Sequence, residues 1–187
     1  MTKKMWIIFL CAAIAAFSGM AFAAEKAPQK VIDLANSKLA ALGSDSVIIQ
    51  AVKAENAKGK TLDQIKAMDE KWKGHAGIAD YMKAIMDSEY GKHIRNIQDS
   101  ADYYAEIFIM DNQGANVAMT DKTSDYWQGD ESKFKESFKA GEGAVFIDDV
   151  EFDDSAQAYL VQISVPVKDD GKVIGAITFG IDVDKIE

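Results

Sequence analysis

Residues 159–181, YLVQISVPVKDDGKVIGAITFGI, determine the fold class of this 187-residue chain. Every second residue from Tyr159 to Val167 is apolar or aromatic, and the same alternation resumes between Val173 and Ile181. A period of two is that of a β-strand with one buried face, and Asp-Asp-Gly-Lys between two such runs is a turn signal. The pattern predicts a long hairpin with one shared face: Tyr159, Val161, Ile163, Val165, Val167, Val173, Gly175, Ile177, Phe179 and Ile181.

A second hairpin is predicted before it. Residues 104–110 are rich in aromatic and β-branched side chains, residues 111–114 (Asp-Asn-Gln-Gly) form a turn, and residues 116–120 return as the partner strand. A short helix is expected over residues 130–139. Two hairpins and a connecting helix predict an antiparallel sheet with helices gathered on one side, which is an α+β fold.

The preceding part of the chain has helical periodicity. Apolar residues recur at helical spacing over residues 27–42 and again over residues 47–52. Thr61 followed by Gln64 predicts a capping box at the start of a third helix. Residues 78–97 outline another long helix, interrupted near Gly91.

The N-terminus has the three parts of a secretory signal peptide. Lys3 and Lys4 precede an apolar run from Trp6 to Phe22, and residues 21–23 form an Ala-x-Ala cleavage pattern. The run is short for the roughly 20 residues that span a bilayer, so an uncleaved anchor is the less favoured alternative. We therefore expect a signal peptide at residues 1–23 and a single periplasmic domain at 24–187, without the one cysteine of the chain, Cys11.

The charge excludes one class of partner. The chain carries a formal net charge of −9, and an acidic domain lacks the positive surface that nucleic acid or anionic lipid requires. We expect neither as a main partner.

Motifs of enzymes are absent from the sequence. It contains no G-x-S-x-G nucleophile elbow, no P-loop and no dinucleotide, covalent-haem or EF-hand signature. The two histidines, His75 and His93, have no metal-like spacing, and His93 is expected on a solvated helix surface. The sequence therefore predicts a protein that is not an enzyme and has no cofactor or metal site, with a small hydrolase or lyase as a remote alternative.

Two polar segments are candidate binding regions. Residues 123–131 combine aromatic side chains with carboxylates, and residues 148–155 hold five carboxylates. Alternatively, Tyr126 and Trp127 pack on the sheet while Asp130 caps the following helix, and the second segment is a solvated acidic turn. If the segments converge, they form an acidic pocket suited to an amine, with a divalent cation as the rival ligand. The candidate ligand-binding residues are Asp125, Tyr126, Trp127, Asp130, Asp153 and Ser155.

The second half of the chain resembles the Cache domains, which are extracytoplasmic PAS-like (PDC) sensor modules. The likeness covers about residues 31–183 and depends on short motifs in the same order: residues 104–114 with their Asp-x-x-Gly turn, 116–118, 123–131, 151–155, 165–167, 170–171 and 173–175. The resemblance implies an antiparallel sheet of about five strands with long N-terminal helices packed on it. It also implies that Asp153 is the pocket aspartate and that Tyr126 and Trp127 are pocket aromatics.

Two departures from the family pattern qualify what the resemblance implies. Amino-acid-binding members carry Arg-x-Trp-Tyr where this chain has Ser124-Asp125-Tyr126-Trp127, which disfavours plain amino-acid sensing and agrees with an amine-bearing ligand. Most members also have membrane helices on both sides, whereas no second apolar segment follows here. The expectation is a free-standing periplasmic sensor that signals through, or delivers ligand to, a membrane receptor or histidine kinase. The alternative is a docking protein with no small ligand. Residues 27–42 are a candidate homodimer interface; alternatively, their apolar stripe is buried against the sheet of the same chain.

Overall fold

The structure is a computed structural model, and it describes residues 25–186 except Ser155. The predicted signal peptide at residues 1–23 lies outside the described residues, as does the candidate site residue Ser155. None of the helices within the described part is long and apolar enough to cross a membrane.

Five antiparallel strands form one sheet in the order β2-β1-β5-β4-β3. The predicted long hairpin is present, with Asp169 of β4 paired with Lys172 of β5. Its two turn residues, Asp170 and Gly171, have φ values of 49° and 82°, as a tight hairpin turn with the twist of the flanking strands requires. The strand bounds are β1 Tyr104–Met110, β2 Asn116–Met119, β3 Phe146–Asp153, β4 Ala158–Asp169 and β5 Lys172–Asp182.

The turn between β1 and β2 is closed by the side chain of Asp111. Its Oδ1 accepts hydrogen bonds from the backbone N–H groups of Gln113 (2.8 Å) and Ala115 (2.9 Å). Gly114 has a φ of 85° and lies so close to Gly129 that a Cβ would be 2.5 Å from the Gly129 Cα. The Asp-x-x-Gly motif thus fixes the turn and seats the 123–131 loop against it.

The alternative interpretation of residues 148–155, a solvated acidic turn favoured for Asp148 and Asp149, is wrong because these two residues lie within a strand. Residues 146–153 form β3, the edge strand beside β4, and a register shift between Ile147 and Val150 places Asp148 and Asp149 in a bulge. Charged side chains are common on edge strands because they prevent pairing with other chains. Those charges concealed the strand pattern in the sequence.

Helices account for the N-terminal half, as predicted. The first predicted helix runs through α1, a π-helical turn (Ala35–Leu39) and α2, and Thr61 and Gln64 form the expected capping box at the start of α4. The helices are α1 Gln29–Leu34, α2 Ala40–Leu42, α3 Ser46–Asn56, α4 Leu62–Lys73, α5 Asp80–Met86, α6 Glu89–Gln98 and α7 Ser132–Phe138.

The predicted helix over residues 78–97 is two helices, and the break precedes Gly91. Ser88 caps α6 by accepting a 2.9 Å hydrogen bond from the Gly91 N–H. A Cβ on Gly91 would overlap the carbonyl of Met86 at the end of α5. Gly91 therefore allows the start of α6 to pack against the end of α5, rather than interrupting one helix.

One face of the sheet is covered by α1, α3 and α6. Ala35 and Leu39 of the first helix are fully buried in this layer, and Ile32 and Leu42 are partly buried. The predicted inward face of the long hairpin is buried with them except at Tyr159, where the prediction is wrong because this end of β4 lies at the sheet edge and the side chain is 53% exposed. The cluster includes Val31, Leu39, Ile48, Ile94, Ile107, Val161, Ile163, Ile177 and Phe179. A second cluster, which includes Ile65, Trp72, Met82, Phe108, Tyr126 and Phe134, joins α4, α5 and α7 to the β1–β2 end. The α+β fold class is confirmed; the homodimer stays a prediction.

Candidate functional site

The remaining part of the sheet, on the face opposite α1, forms the floor of a groove beneath α7. Three adjoining cavities of about 430, 200 and 370 Å³ share lining residues, and Asp153 lines all three. We call this the sheet groove. Its principal residues are Glu106 and Phe108 of β1, Asp130, Glu131 and Lys133 at the start of α7, Asp153 of β3, and Leu160 and Gln162 of β4.

Glu106 forms the floor of the sheet groove. Its partner across the strand pair is Gly180 of β5, and a Cβ on Gly180 would lie 2.7 Å from the Glu106 Cγ. The absence of a side chain at Gly180 therefore leaves the space in which the Glu106 side chain lies. The Gln162 Nε2 donates a 3.0 Å hydrogen bond to the Glu106 Oε1, so the carboxyl is held in place by a neutral neighbour.

The surroundings of Glu106 favour its protonated form. Protein atoms enclose the carboxyl on most sides, and this burial raises its pKa to about 7, with smaller contributions in the same direction from Asp153 and Asp121. Lys133 and the hydrogen bond from Gln162 act in the opposite direction. Because burial removes water from the charged form, it outweighs these two favourable partners.

Lys133 extends from α7 into the sheet groove. Its ammonium donates to the Gln162 Oε1 at 2.9 Å and lies 2.9 Å from the Glu131 Oε2, and only 11% of its side chain is exposed. The same ammonium lies 5.5 Å from the centroid of the Phe108 ring, within the range of a cation–π interaction. The groove therefore already holds one ammonium group among a carboxylate, an amide oxygen and an aromatic face.

Carboxylates dominate the rim. Asp153, the last residue of β3, accepts a 2.8 Å hydrogen bond at Oδ1 from the Ala156 N–H. Asp149 forms an exposed ion pair with Lys26 at 2.8 Å. Lys122 and Lys133 are the cations among the residues that line the three cavities, against these acids: Glu106, Asp121, Asp130, Glu131, Asp148, Asp149, Glu151, Asp153 and Asp154.

The structure divides the predicted site residues into two groups. Asp130 and Asp153 line the sheet groove. Tyr126 is buried, with its ring 5.6 Å from that of Trp72 and its hydroxyl accepting a 2.9 Å hydrogen bond from Lys60. Burial raises the pKa of that hydroxyl, so it remains neutral.

Asp125 and Trp127 also belong to the packed loop. Asp125 is paired with Lys73 at 3.2 Å, and the Trp127 Nε1 donates to the carbonyl of Gln113 at 2.8 Å. The side chain of Asp69, buried in α4, accepts from the backbone N–H groups of Tyr126 (2.8 Å) and Trp127 (3.0 Å). Tyr126 and Trp127 therefore pack within the fold, as the alternative interpretation of this loop proposed.

Sequence reasoning did not identify Glu106, Lys133 and Gln162 as groove residues. Glu106 and Gln162 are polar residues at alternate positions within otherwise apolar strands. That alternation was used to find the buried face of β4, and the same pattern also marks polar residues on the opposite face. Lys133 gave no comparable signal, because a lysine in an exposed-looking helix is ordinary.

Among residues 25–154 and 156–186, no group of three His, Cys, Asp or Glu side chains is arranged to hold a metal ion. The acidic side chains of the rim are distributed along β3 and the residues that precede α7.

Comparisons with known proteins found similarity in solved structures alone: no family model matches the chain, and no curated protein matches it. The sensor domain of the Vibrio cholerae histidine kinase DctB has 12% identity and a TM-score of 0.44 over 84% of this chain and 52% of its own. The ligand-binding domain of the Campylobacter jejuni chemoreceptor Tlp3, in complex with 4-methylisoleucine, has 14% identity and a TM-score of 0.42 over 84% and 60%. The corresponding domain of the Pseudomonas aeruginosa PAO1 amino acid chemoreceptor PctC, in complex with GABA, has 10% identity and a TM-score of 0.36 over 78% and 59%.

These neighbours are the sensor domain of a histidine kinase and the ligand-binding domains of two chemoreceptors. The chain spans between about half and 60% of their lengths. At these identities and TM-scores the likeness does not extend to what this chain binds.

Proposed function

We propose that the chain is a sensor domain that binds a small ligand carrying a protonated amine in the sheet groove. The observation that supports this most directly is the position of the Lys133 ammonium, which is held in the groove by the Glu131 carboxylate and the Gln162 amide oxygen and lies near the Phe108 ring. A ligand ammonium needs the same kinds of partner.

The charge of the groove supports a cationic ligand. Acidic side chains line all three cavities, and only two lysines, Lys122 and Lys133, are among the described lining residues. An anionic ligand would meet like charge along the rim, which raises the free energy of binding. Asp153 is the proposed anchor because it lines every part of the groove.

The proposed setting is the periplasm. The N-terminal signal-peptide pattern supports export of the domain at residues 24–187, and the proposed output is through a membrane receptor or histidine kinase. Expression of the full coding sequence in a bacterial host, followed by N-terminal sequencing of the periplasmic fraction, tests this. A mature N-terminus at Ala24 is expected; retention in the membrane fraction at full length would contradict cleavage.

A thermal-shift screen of the exported protein tests ligand binding. The library contains amines, amino acids, organic acids, purines and divalent cations. A ligand at one hundred times its dissociation constant stabilises a fold by about 2.7 kcal/mol, or roughly 5–10 °C at this chain length. We expect amines to give such a shift.

Asp153→Ala and Glu70→Ala form the matched pair for this screen. Glu70 is an exposed acid on α4 and is not among the residues that line the groove. The amine-induced shift should disappear in Asp153→Ala and persist in Glu70→Ala. An equal response in both variants would show that the ligand lies elsewhere, and a response to organic acids alone would refute an amine ligand.

One feature favours a second candidate, a docking protein. Phe152 and Tyr159 are about half exposed, and their rings lie 5.2 Å apart at the sheet edge formed by β3 and β4. Exposed aromatic side chains of this kind are common at protein interfaces. A silent ligand screen, together with a dimer or complex lost in the Phe152→Ser, Tyr159→Ser double variant by sedimentation velocity, would favour docking.

A further inference from the structure

We infer that Glu106 contacts the ligand directly: a primary ammonium group is held between the Glu106 carboxyl on the floor of the sheet groove and Asp153 on its wall, and its entry expels the proton of the Glu106 carboxyl. This inference deepens the proposed function and depends on it. It assigns the recognition of charge to a residue on β1, inside the sheet, as well as to the acidic rim.

The positions of the two carboxyl groups support this arrangement. Glu106 and Asp153 together line the cavities of about 200 and 370 Å³, so the two carboxyl groups border the same space. Gln162 holds one oxygen of Glu106, and Gly180 provides the space for its side chain. An ammonium group has three donors, which suits it to a position shared by two carboxyl groups.

Lys133 forms no direct ion pair with Glu106 among the described contacts. The Lys133 ammonium donates to the Gln162 Oε1 and pairs with Glu131, so the amide of Gln162 lies between the lysine and Glu106 as a neutral bridge. Among the described contacts, no cation forms an ion pair with the Glu106 carboxyl. A ligand ammonium beside Glu106 would therefore be its first direct cationic partner.

The charges around Glu106 determine the direction of the proton movement. Burial, Asp153 and Asp121 favour its protonated form, Lys133 of α7 opposes them, and Lys122 lines the same cavities. An added ammonium nearby stabilises the carboxylate. The Glu106 O–H bond then breaks, its electrons remain on the carboxylate, the proton passes to the buffer, and the ligand ammonium keeps its own protons.

Isothermal titration calorimetry with n-butylamine and 1,4-diaminobutane tests the inference. Both amines remain protonated between pH 6 and 8, so any proton exchanged comes from the protein. Titrations in two buffers of different ionisation enthalpy give the number of protons released per ligand. At pH 6 we expect close to one proton, falling towards zero at pH 8. The dissociation constant should decrease about tenfold over that range, as linkage to a group with a pKa near 7 requires.

Glu106→Gln is the matched variant, because the amide keeps the shape of the side chain and an acceptor for Gln162. It should bind amines without proton release and with the same affinity at pH 6 and 8, while Asp153→Asn should lose binding at both values. Circular dichroism checks that each variant is folded. If Glu106→Gln does not fold, the proton count of the wild-type protein decides the question.

The outcomes separate the inference from the proposed function. Amine binding by the wild-type protein with no proton release would overturn the role of Glu106 and leave the amine-binding groove in place. No binding of either amine at any pH would overturn both. Proton release that persists in Glu106→Gln would assign the titrating group to another residue and so overturn the inference.

Discussion

The two faces of the sheet are built from alternate residues of the same strands, and they differ in what fills them. On β4, Val161 and Ile163 are fully buried beneath the helices, whereas Gln162 between them faces the groove. On β1, Ile107 is fully buried and its neighbour Glu106 lies on the groove floor. One face is covered by an apolar core, whereas the other combines a second apolar cluster at its β1–β2 end with polar groups that line a cavity.

The domain can hold polar groups on the groove face because its stability comes mainly from the buried apolar side chains elsewhere. The helix-covered face buries large side chains, each worth roughly 1.5–3 kcal/mol of hydrophobic free energy. The groove face includes the carboxyl of Glu106, whose pKa burial raises to about 7. If the comparison is correct, substitutions on the two faces should separate stability from binding.

The largest expected effect comes from the helix-covered face. Phe179→Ala removes a fully buried ring from the core, and we expect the free energy of unfolding to fall by about 3–5 kcal/mol. Gln162→Ala, on the groove face, should cost less than about 1.5 kcal/mol but weaken amine binding. Urea denaturation measures both variants. Equal losses of stability would contradict the division between the faces.

The next effect concerns the pH dependence of stability. The pKa of Glu106 is raised to about 7 in the folded protein, so the fold favours the protonated carboxyl. Its contribution is full below the unfolded value near pH 4.5 and is lost as the pH rises through 7. Glu106→Gln should therefore be more stable than the wild type at pH 8, by roughly 2–3 kcal/mol, and close to it at pH 4.5. Urea melts at both pH values measure this; a difference that does not change with pH would contradict it.

A smaller effect is expected where the 123–131 loop is fastened to α4. The Asp69 carboxylate accepts hydrogen bonds from the N–H groups of Tyr126 and Trp127 and pairs with Lys73. Asp69→Asn replaces it with a neutral amide, which weakens these hydrogen bonds and removes the ion pair. We expect a loss of about 1–3 kcal/mol in the free energy of unfolding, with amine affinity unchanged. Loss of binding in a folded Asp69→Asn variant would show that the contacts of Asp69 with Tyr126 and Trp127 also position the residues of this loop that line the groove.

The sequence predicted most of the framework because its signals are local. The alternation over residues 159–181 gave the long hairpin and its buried face, and Thr61 with Gln64 gave the start of α4. β3 was not predicted because a run of acidic residues occurs in solvated turns as well as on edge strands. The break between α5 and α6 was misplaced because Gly91 is needed for packing between helices.

The composition of the site could be predicted from the sequence only in part. Composition and alternation determined an α+β domain with an acidic segment next to the long strand, since these depend on neighbours along the chain. Long-range packing places Tyr126 and Trp127 against Trp72 and Gln113, and it brings Glu106 and Lys133 into one groove. The exposure and the pKa of a side chain depend on which distant residues cover it, and those neighbours cannot be read from the residues next to it in sequence.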